Sequence, residues 1–252
     1  MKNYWVLLLV LFSVGCSIPQ SIVKLTPSVI ENKDYWNLGQ QFVYDSDKNV
    51  WVDCAFNRTE NETMIFNVKV NNRSDNAILV SPAEFYQQVY FKDSLKTVKN
   101  KAFDPEAILE SLKLEENIAQ AQAQNAAIFS LCSATISTGA AIAVVASNKE
   151  EEKKEQMMNT INTSNNIAQN SAGTVIESSN VRAENNWVKR QSLAELFMRK
   201  TTLPSGYYLE GEVHFPYYKD AKKYEICILA GNAKVTFLFK KHLIYPHRNN
   251  GL

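Results

Sequence analysis

Glu210, Glu212 and His214 are the side chains best placed by type and spacing to do chemistry together. Alternate residues of a strand point the same way at about 7 Å spacing. The three therefore share a face, and two carboxylates with an imidazole can hold a divalent metal. The competing use of that face is a solvated exterior opposite Leu209, Val213 and Phe215; this is the expected one, and no metal ligand or catalytic residue is assigned. His242 and His247 lie near Lys240, Lys241 and Arg248, a basic group expected to form a solvated tail. Trp36, Trp51, Tyr86, Tyr207 and Tyr217 could stack on sugars, but aromatics on strands more commonly serve the core or cross-strand pairs. The sequence holds no Gly-x-Ser-x-Gly, His-Glu-x-x-His, paired Cys-x-x-Cys or phosphate-cradling glycine loop. Eight glycines leave little from which to build a nucleotide loop. The expectation is a non-enzymatic protein with no cofactor.

The cysteines divide into one at the start of the chain and three within it. Lys2, the apolar run Trp5 to Phe12, and the small residues Ser13, Val14 and Gly15 precede Cys16. That is the order of a signal peptide, and the apolar run is too short for a bilayer span of about 20 residues. Ser-Val-Gly-Cys resembles the lipobox of bacterial lipoproteins, with Ser13 where leucine is commonest. The resemblance implies cleavage before Cys16, acylation of Cys16, and a membrane anchor in the cell envelope, on the outer membrane if the source is Gram-negative. Several acyl chains would make the anchor stable where one alone would not. Cys54, Cys132 and Cys227 remain, an odd count that allows at most one internal bridge. Cys54 and Cys227 are expected to be small buried apolar residues in strands.

Removal of residues 1–15 leaves 237 (252 less 15), enough for one large domain or two small ones. It also leaves 26 basic residues (27 less Lys2) against 26 acidic ones. Such balance provides no global field toward nucleic acid or anionic lipid.

The elements that would carry these residues follow from periodicity. Residues 16–34, with Pro19 and Pro27 and no sustained period, are read as a lipidated N-terminus and tether. Val50, Val52, Cys54 and Phe56 fall on one face and Trp51, Asp53 and Ala55 on the other, and Met64, Phe66, Val68 and Val70 alternate with Ile65, Asn67 and Lys69, so a hairpin is expected with its turn at 57–63. At Asp104-Pro105-Glu106 the period becomes helical: the carboxylate caps, proline fits the first turn, and glutamate suits the positive end. A helix over about 104–147 would be about 65 Å long. Residues 159–186, rich in Asn, Ser and Thr, read as a weak helix or loop, and helical spacing resumes from Trp187 to Lys200. Strands return with Leu209, Val213 and Phe215, then Tyr224, Ile226 and Ile228, then Val235, Phe237 and Phe239. Strands on both sides of a helical block imply one β domain with an insertion, because the first hairpin alone cannot bury its apolar face. The expected class is α+β, an antiparallel sandwich of about eight strands interrupted by helices.

The run from Phe66 to Ser74, continuing to Ile78, Val80, Pro82 and Phe85, resembles the early strands of bacterial extracytoplasmic immunoglobulin-like domains. Leu203-Pro204-Ser205-Gly206 with Gly211 to Phe215 is similar to their closing half. The resemblance implies an immunoglobulin-like β-sandwich that binds partners or acts as a spacer, and it supplies no catalytic residues. The expected division is leader 1–15, tether 16–34, first half-sandwich 35–95, helical insertion 96–202, second half-sandwich 203–242 and C-terminal tail 243–252.

The insertion holds the feature least like its surroundings. From Asn125 to Ser147 no residue is charged, and Ile128, Phe129, Leu131, Ile136, Ile142, Val144 and Val145 fall within it. The length suffices for a bilayer, while its hydroxyls and alanines dilute the hydrophobicity. Three readings stay open: burial against another helix of the insertion or of a second copy, insertion into a membrane, or packing on the sandwich. The leading expectation is a membrane-tethered envelope protein whose insertion self-associates or docks a protein partner. The alternatives are a membrane-inserting component and a glycan- or peptide-binding or hydrolysing domain.

Overall fold

The computed structural model describes residues 22–28, 33–92, 96–147 and 150–244. It divides into two units, one of β-strands and one formed by residues 104–197. The class is α+β: two antiparallel sheets and one long helical insertion.

In the first unit the chain forms β1 (Ile22–Pro27), β2 (Asp34–Asn37), β3 (Gln40–Asp47), β4 (Val50–Glu60), β5 (Thr63–Asn72), β6 (Ile78–Val80), β7 (Tyr86–Phe91) and β8 (Thr97–Lys101). After the insertion come β9 (Thr201–Leu203), β10 (Tyr208–Pro216), β11 (Ala221–Ala230) and β12 (Ala233–Ile244). The five-stranded sheet runs β10-β5-β4-β3-β2. In the seven-stranded sheet β1, β12, β11, β6 and β9 follow one another, and β7 joins β11 to β8. Two-residue turns with positive φ, at Leu38-Gly39, Lys48-Asn49 and Asn61-Glu62, close the β2–β3, β3–β4 and β4–β5 hairpins. Both central residues with positive φ give the backbone twist that matches paired strands.

The alternation expected from sequence sets the core. Val50, Val52, Cys54, Met64, Phe66, Val68 and Val70 on one sheet meet Tyr224, Ile226, Ile228, Val235, Phe237 and Phe239 of the other in a single buried cluster. Phe66 is its centre, edge-on to Phe239 at 5.0 Å and to Phe215 at 5.9 Å. A fully buried phenylalanine contributes about 3 kcal/mol by transfer alone, so these rings hold the sheets face to face.

The second unit is a helical hairpin of α1 (Pro105–Val145) and α2 (Glu151–Leu196). Asp104 caps α1 as expected, its carboxylate accepting from the Glu106 amide at 3.0 Å. The helices run antiparallel, with Arg190 on Glu116 at 3.2 Å near the open end. Their seam is built from Leu109, Leu112, Ala119, Ala123 and Val144 on α1 and Ala172, Ser179 and Ala183 on α2. Steps of three, four and seven residues are coiled-coil spacing, and small side chains let the two backbones approach closely.

Several boundaries differ from the sequence expectation. The stretch 16–34 is not all tether, because Ile22–Pro27 pairs with β12 and buries Leu25. The insertion is shorter than 96–202: β8 and β9 are strands of the seven-stranded sheet, and the helical unit spans 104–197. The second half of the β unit accordingly begins before 203 and β12 continues to Ile244, so residues 243 and 244 are strand rather than tail. The segment 57–63 is mostly strand, with only Asn61 and Glu62 as the turn. Residues 159–186 are one continuous helix, held by the Ala and Ser seam that a search for large apolar residues overlooks. Cys54 and Cys227 are buried and free, Cys54 in the core and Cys227 on the other side of β11 from Ile226 and Ile228.

Candidate functional site

Two features could carry function, one in each unit. In the β unit, Glu210, Glu212 and His214 line β10, the edge strand of the five-stranded sheet. They do not act together. Glu210 is exposed and lies 4.0 Å from Lys69, whereas Glu212 is only 7% exposed and draws in residues from β4. Its Oε1 accepts from Arg58 Nη1 at 2.7 Å and Asn57 Nδ2 at 3.0 Å, and its Oε2 lies 3.2 Å from His214 Nε2. The face expected to be solvated is therefore partly closed by an ion pair.

A β-bulge explains why Arg58 and Asn57 were not foreseen. The register of β4 on β5 slips between Phe56 and Arg58, and a bulge re-aims side chains at the point where it inserts a residue. Strict alternation would send Asn57 and Arg58 to opposite faces. Here both reach Glu212, and Asn57 also accepts from Gln40, whose own Oε1 accepts from Asn67 at 2.7 Å. Burial pulls the Glu212 carboxyl upward, but the hydrogen bonds from His214 and Arg58 together with the Arg58 charge outweigh it and hold the group below the ordinary glutamate range. At neutral pH it is an anion whose two oxygens are both engaged.

The cluster also marks the root of the insertion. The carbonyl of His214 accepts from the Phe103 amide at 2.9 Å, and that of Glu212 from the Met198 amide at 3.0 Å. Those are the β-unit residues at which the chain departs and returns. Backbone groups that would leave β10 an open edge are thus used. The arrangement is a clamp on β10.

Of the other sequence candidates, Trp51 stacks with Tyr44 at 6.1 Å beneath the Arg73 guanidinium, Tyr86 lies under Lys99, and Tyr217 lies under Lys241. Trp36 and Tyr207 are exposed. Among the described residues no group of three His, Cys, Asp or Glu could hold a metal ion. Cys16, His247 and Arg248 lie outside the described residues.

In the helical unit the candidate is the outer surface of α1. Ile128, Phe129, Leu131, Ile136, Ile142 and Val145 are all more than half exposed, Leu131 at 69% and Ile136 at 72%. At 3.6 residues per turn they fan over about 200° on the side away from the α2 seam. The hydroxyls of Thr135, Ser137 and Thr138 donate to carbonyls four residues back, at 2.8–3.0 Å, so they demand nothing from outside the helix. α2 is different in kind: from Gln156 to Ile176 it is also uncharged, but it carries Asn159, Asn162, Asn165, Asn166 and Asn170. The hairpin has an apolar wall and an amide-rich wall.

The chain matches no family model, no curated protein and no solved structure. Its function is legible only in these surfaces.

Proposed function

We propose that the chain is a non-enzymatic lipoprotein of the cell envelope, anchored through Cys16, whose helical hairpin joins it to further copies of itself. The observation that carries this reading is the uncovered apolar wall of α1. Monomeric soluble proteins rarely leave a continuous apolar surface of that extent in water. Because the wall wraps about 200° of the helix, a single flat partner covers only part of it. Several α1 helices gathered about an axis, with the amide-rich α2 helices outside, cover it from two sides each. The two antiparallel sheets then serve as an immunoglobulin-like sandwich that links the hairpin to the anchor, in keeping with the sequence resemblance. Glu212, whose oxygens are engaged by Arg58, Asn57 and His214, is read as a structural carboxylate of β10.

A second reading has one specific observation in its favour. α1 is long and apolar enough to cross a bilayer by length and composition. The asparagines of α2, which lies alongside, oppose burial of the whole hairpin in lipid, where each unsatisfied polar group costs several kcal/mol. Light scattering on the chain from residue 16 onward carrying Cys16→Ser separates the readings. An oligomer that Leu131→Glu with Ile142→Glu converts to monomer supports self-association. A monomer whose 125–147 segment is protected from protease only when vesicles are present supports insertion and refutes self-association.

A further inference from the structure

The near balance of 27 basic against 26 acidic residues conceals a segregation by sheet. On the outer face of the seven-stranded sheet, alternation against buried Leu25, Tyr224, Val235, Phe237 and Phe239 turns Lys24, Lys99, Lys101, Lys223, Lys234 and Lys240 outward, with His242 beside them. All six lysines are exposed. Among the described residues the strands of this sheet contain one carboxylate, Glu225, and it is engaged by the Tyr90 hydroxyl at 2.7 Å. The five-stranded sheet is the reverse, with Asp34, Asp45, Asp47, Asp53, Glu60, Glu210 and Glu212 against Arg58 and Lys69.

The register makes the lysines a patch rather than a scatter. Lys240 stands directly opposite Lys223 on one side and Thr26 on the other, and Lys24 stands opposite His242. From β1 across β12, β11 and β7 to β8 the patch crosses five strands, or about 19 Å at 4.8 Å per step. Like charges directly opposite on neighbouring strands destabilise a sheet, so the Lys223 and Lys240 pair is a standing cost that a bound anion removes.

We infer that this face seats against the anionic headgroups of a bilayer. The position of the anchor favours a bilayer over other polyanions. β1 is the edge strand of the basic sheet, and its first residue, Ile22, is six residues from Cys16, at most about 20 Å of extended chain. Ile22 and Ile244 pair at that end of the sheet and are 60% and 45% exposed, an apolar rim of the kind that enters the headgroup layer. The reach from the anchor depends on the proposed lipid at Cys16; the segregation of charge does not.

The chain from residue 16 onward with Cys16→Ser, which lacks the leader and cannot be lipidated, is mixed with vesicles of phosphatidylcholine alone or with one-third phosphatidylglycerol, and bound protein is measured by flotation. Binding to the anionic vesicles in excess of the neutral ones, falling steeply with added salt, is expected. Each lysine near such a surface is worth about a fivefold change in partitioning, so Lys24→Gln, Lys223→Gln and Lys240→Gln together lower it about a hundredfold. The matching triple arginine variant retains it, which separates charge from any effect on the fold. Lys240→Gln alone is expected to weaken binding while raising the melting temperature, because it removes a like-charge pair. Equal binding to both vesicles, an unaffected glutamine triple variant, or a preference for single-stranded RNA over vesicles at equal phosphate each overturns the inference. Failure to incorporate labelled palmitate at Cys16 would overturn the anchor while leaving this result standing.

Discussion

Replacing Arg58 by methionine is expected to cost about 2 kcal/mol at neutral pH and progressively less in acid. The magnitude follows from where the two partners sit. Glu212 is 7% exposed and Arg58 41%. A fully exposed pair is worth at most about 1 kcal/mol, while stranding one partner of a fully buried pair costs about 3–5 kcal/mol. A buried carboxylate met by a half-screened guanidinium falls between them. The sign of the pH dependence follows from the lowered Glu212 pKa. A carboxyl that is more acidic folded than unfolded contributes its stability fully above the unfolded value of 4.5, and that contribution is lost as pH falls from there through the lower folded value. Urea unfolding at pH 7 and at steps below 4.5 measures this. In the chain from residue 16 onward, which lacks Trp5, tryptophan emission reports the β unit if Trp187 is first changed to phenylalanine, since Trp36 and Trp51 belong to the sheets and Trp187 to the hairpin. Glu212→Gln is the companion and should flatten the acid limb of the stability curve. A cost for Arg58→Met below about 0.5 kcal/mol at pH 7, or one that stays constant into acid, refutes the clamp.

Two further outcomes test the rest of the architecture. Ala123→Leu, at the seam of α1 and α2, should destabilise the hairpin by about 1–3 kcal/mol through overpacking, seen as a loss of helical ellipticity at lower temperature, whereas Ala121→Leu, at an exposed position of the same helix, should be nearly neutral. In the Cys16→Ser chain, Cys132 is exposed while Cys54 and Cys227 are buried, and burial raises the Cys54 thiol pKa. One thiol should therefore react quickly with iodoacetamide in the native protein and three after denaturation; rapid labelling of Cys54 would contradict the core.

What could be read from sequence divides along physical lines. The β4 and β5 alternation, the Asp104 cap and the inward residues of β10 to β12 were legible because a large apolar residue every second position, or a cap before a helical period, is a local signal. Residues 159–186 of α2 were not, because its seam uses Ala172, Ser179 and Ala183, whose burial contributes little hydrophobic contrast. β1 was not, because six residues with two exposed positions and a proline acquire meaning only from β12, more than two hundred residues later. Arg58 was hidden by the bulge that brings it to Glu212. The basic face was hidden by summation: a total charge near zero says nothing of which sheet holds which sign.

The pairing of β1 with β12 also bears on how the protein reaches its fold. Ile22 meets Ile244 and Pro27 meets Phe239, and among the described residues β1 has no other strand partner. β1 therefore cannot be sealed until β12, more than two hundred residues later in sequence, has been made. Until then Leu25 and the open edge of β12's sheet remain available to other chains, and non-local pairing of this kind is slow to form. The helical insertion lies between the two halves, and Phe103 and Met198 at its two ends bond to neighbouring carbonyls of β10, those of His214 and Glu212. In this sense the root of the insertion is a staple that ties the first half of the β unit, through Phe103, to β10 of the second.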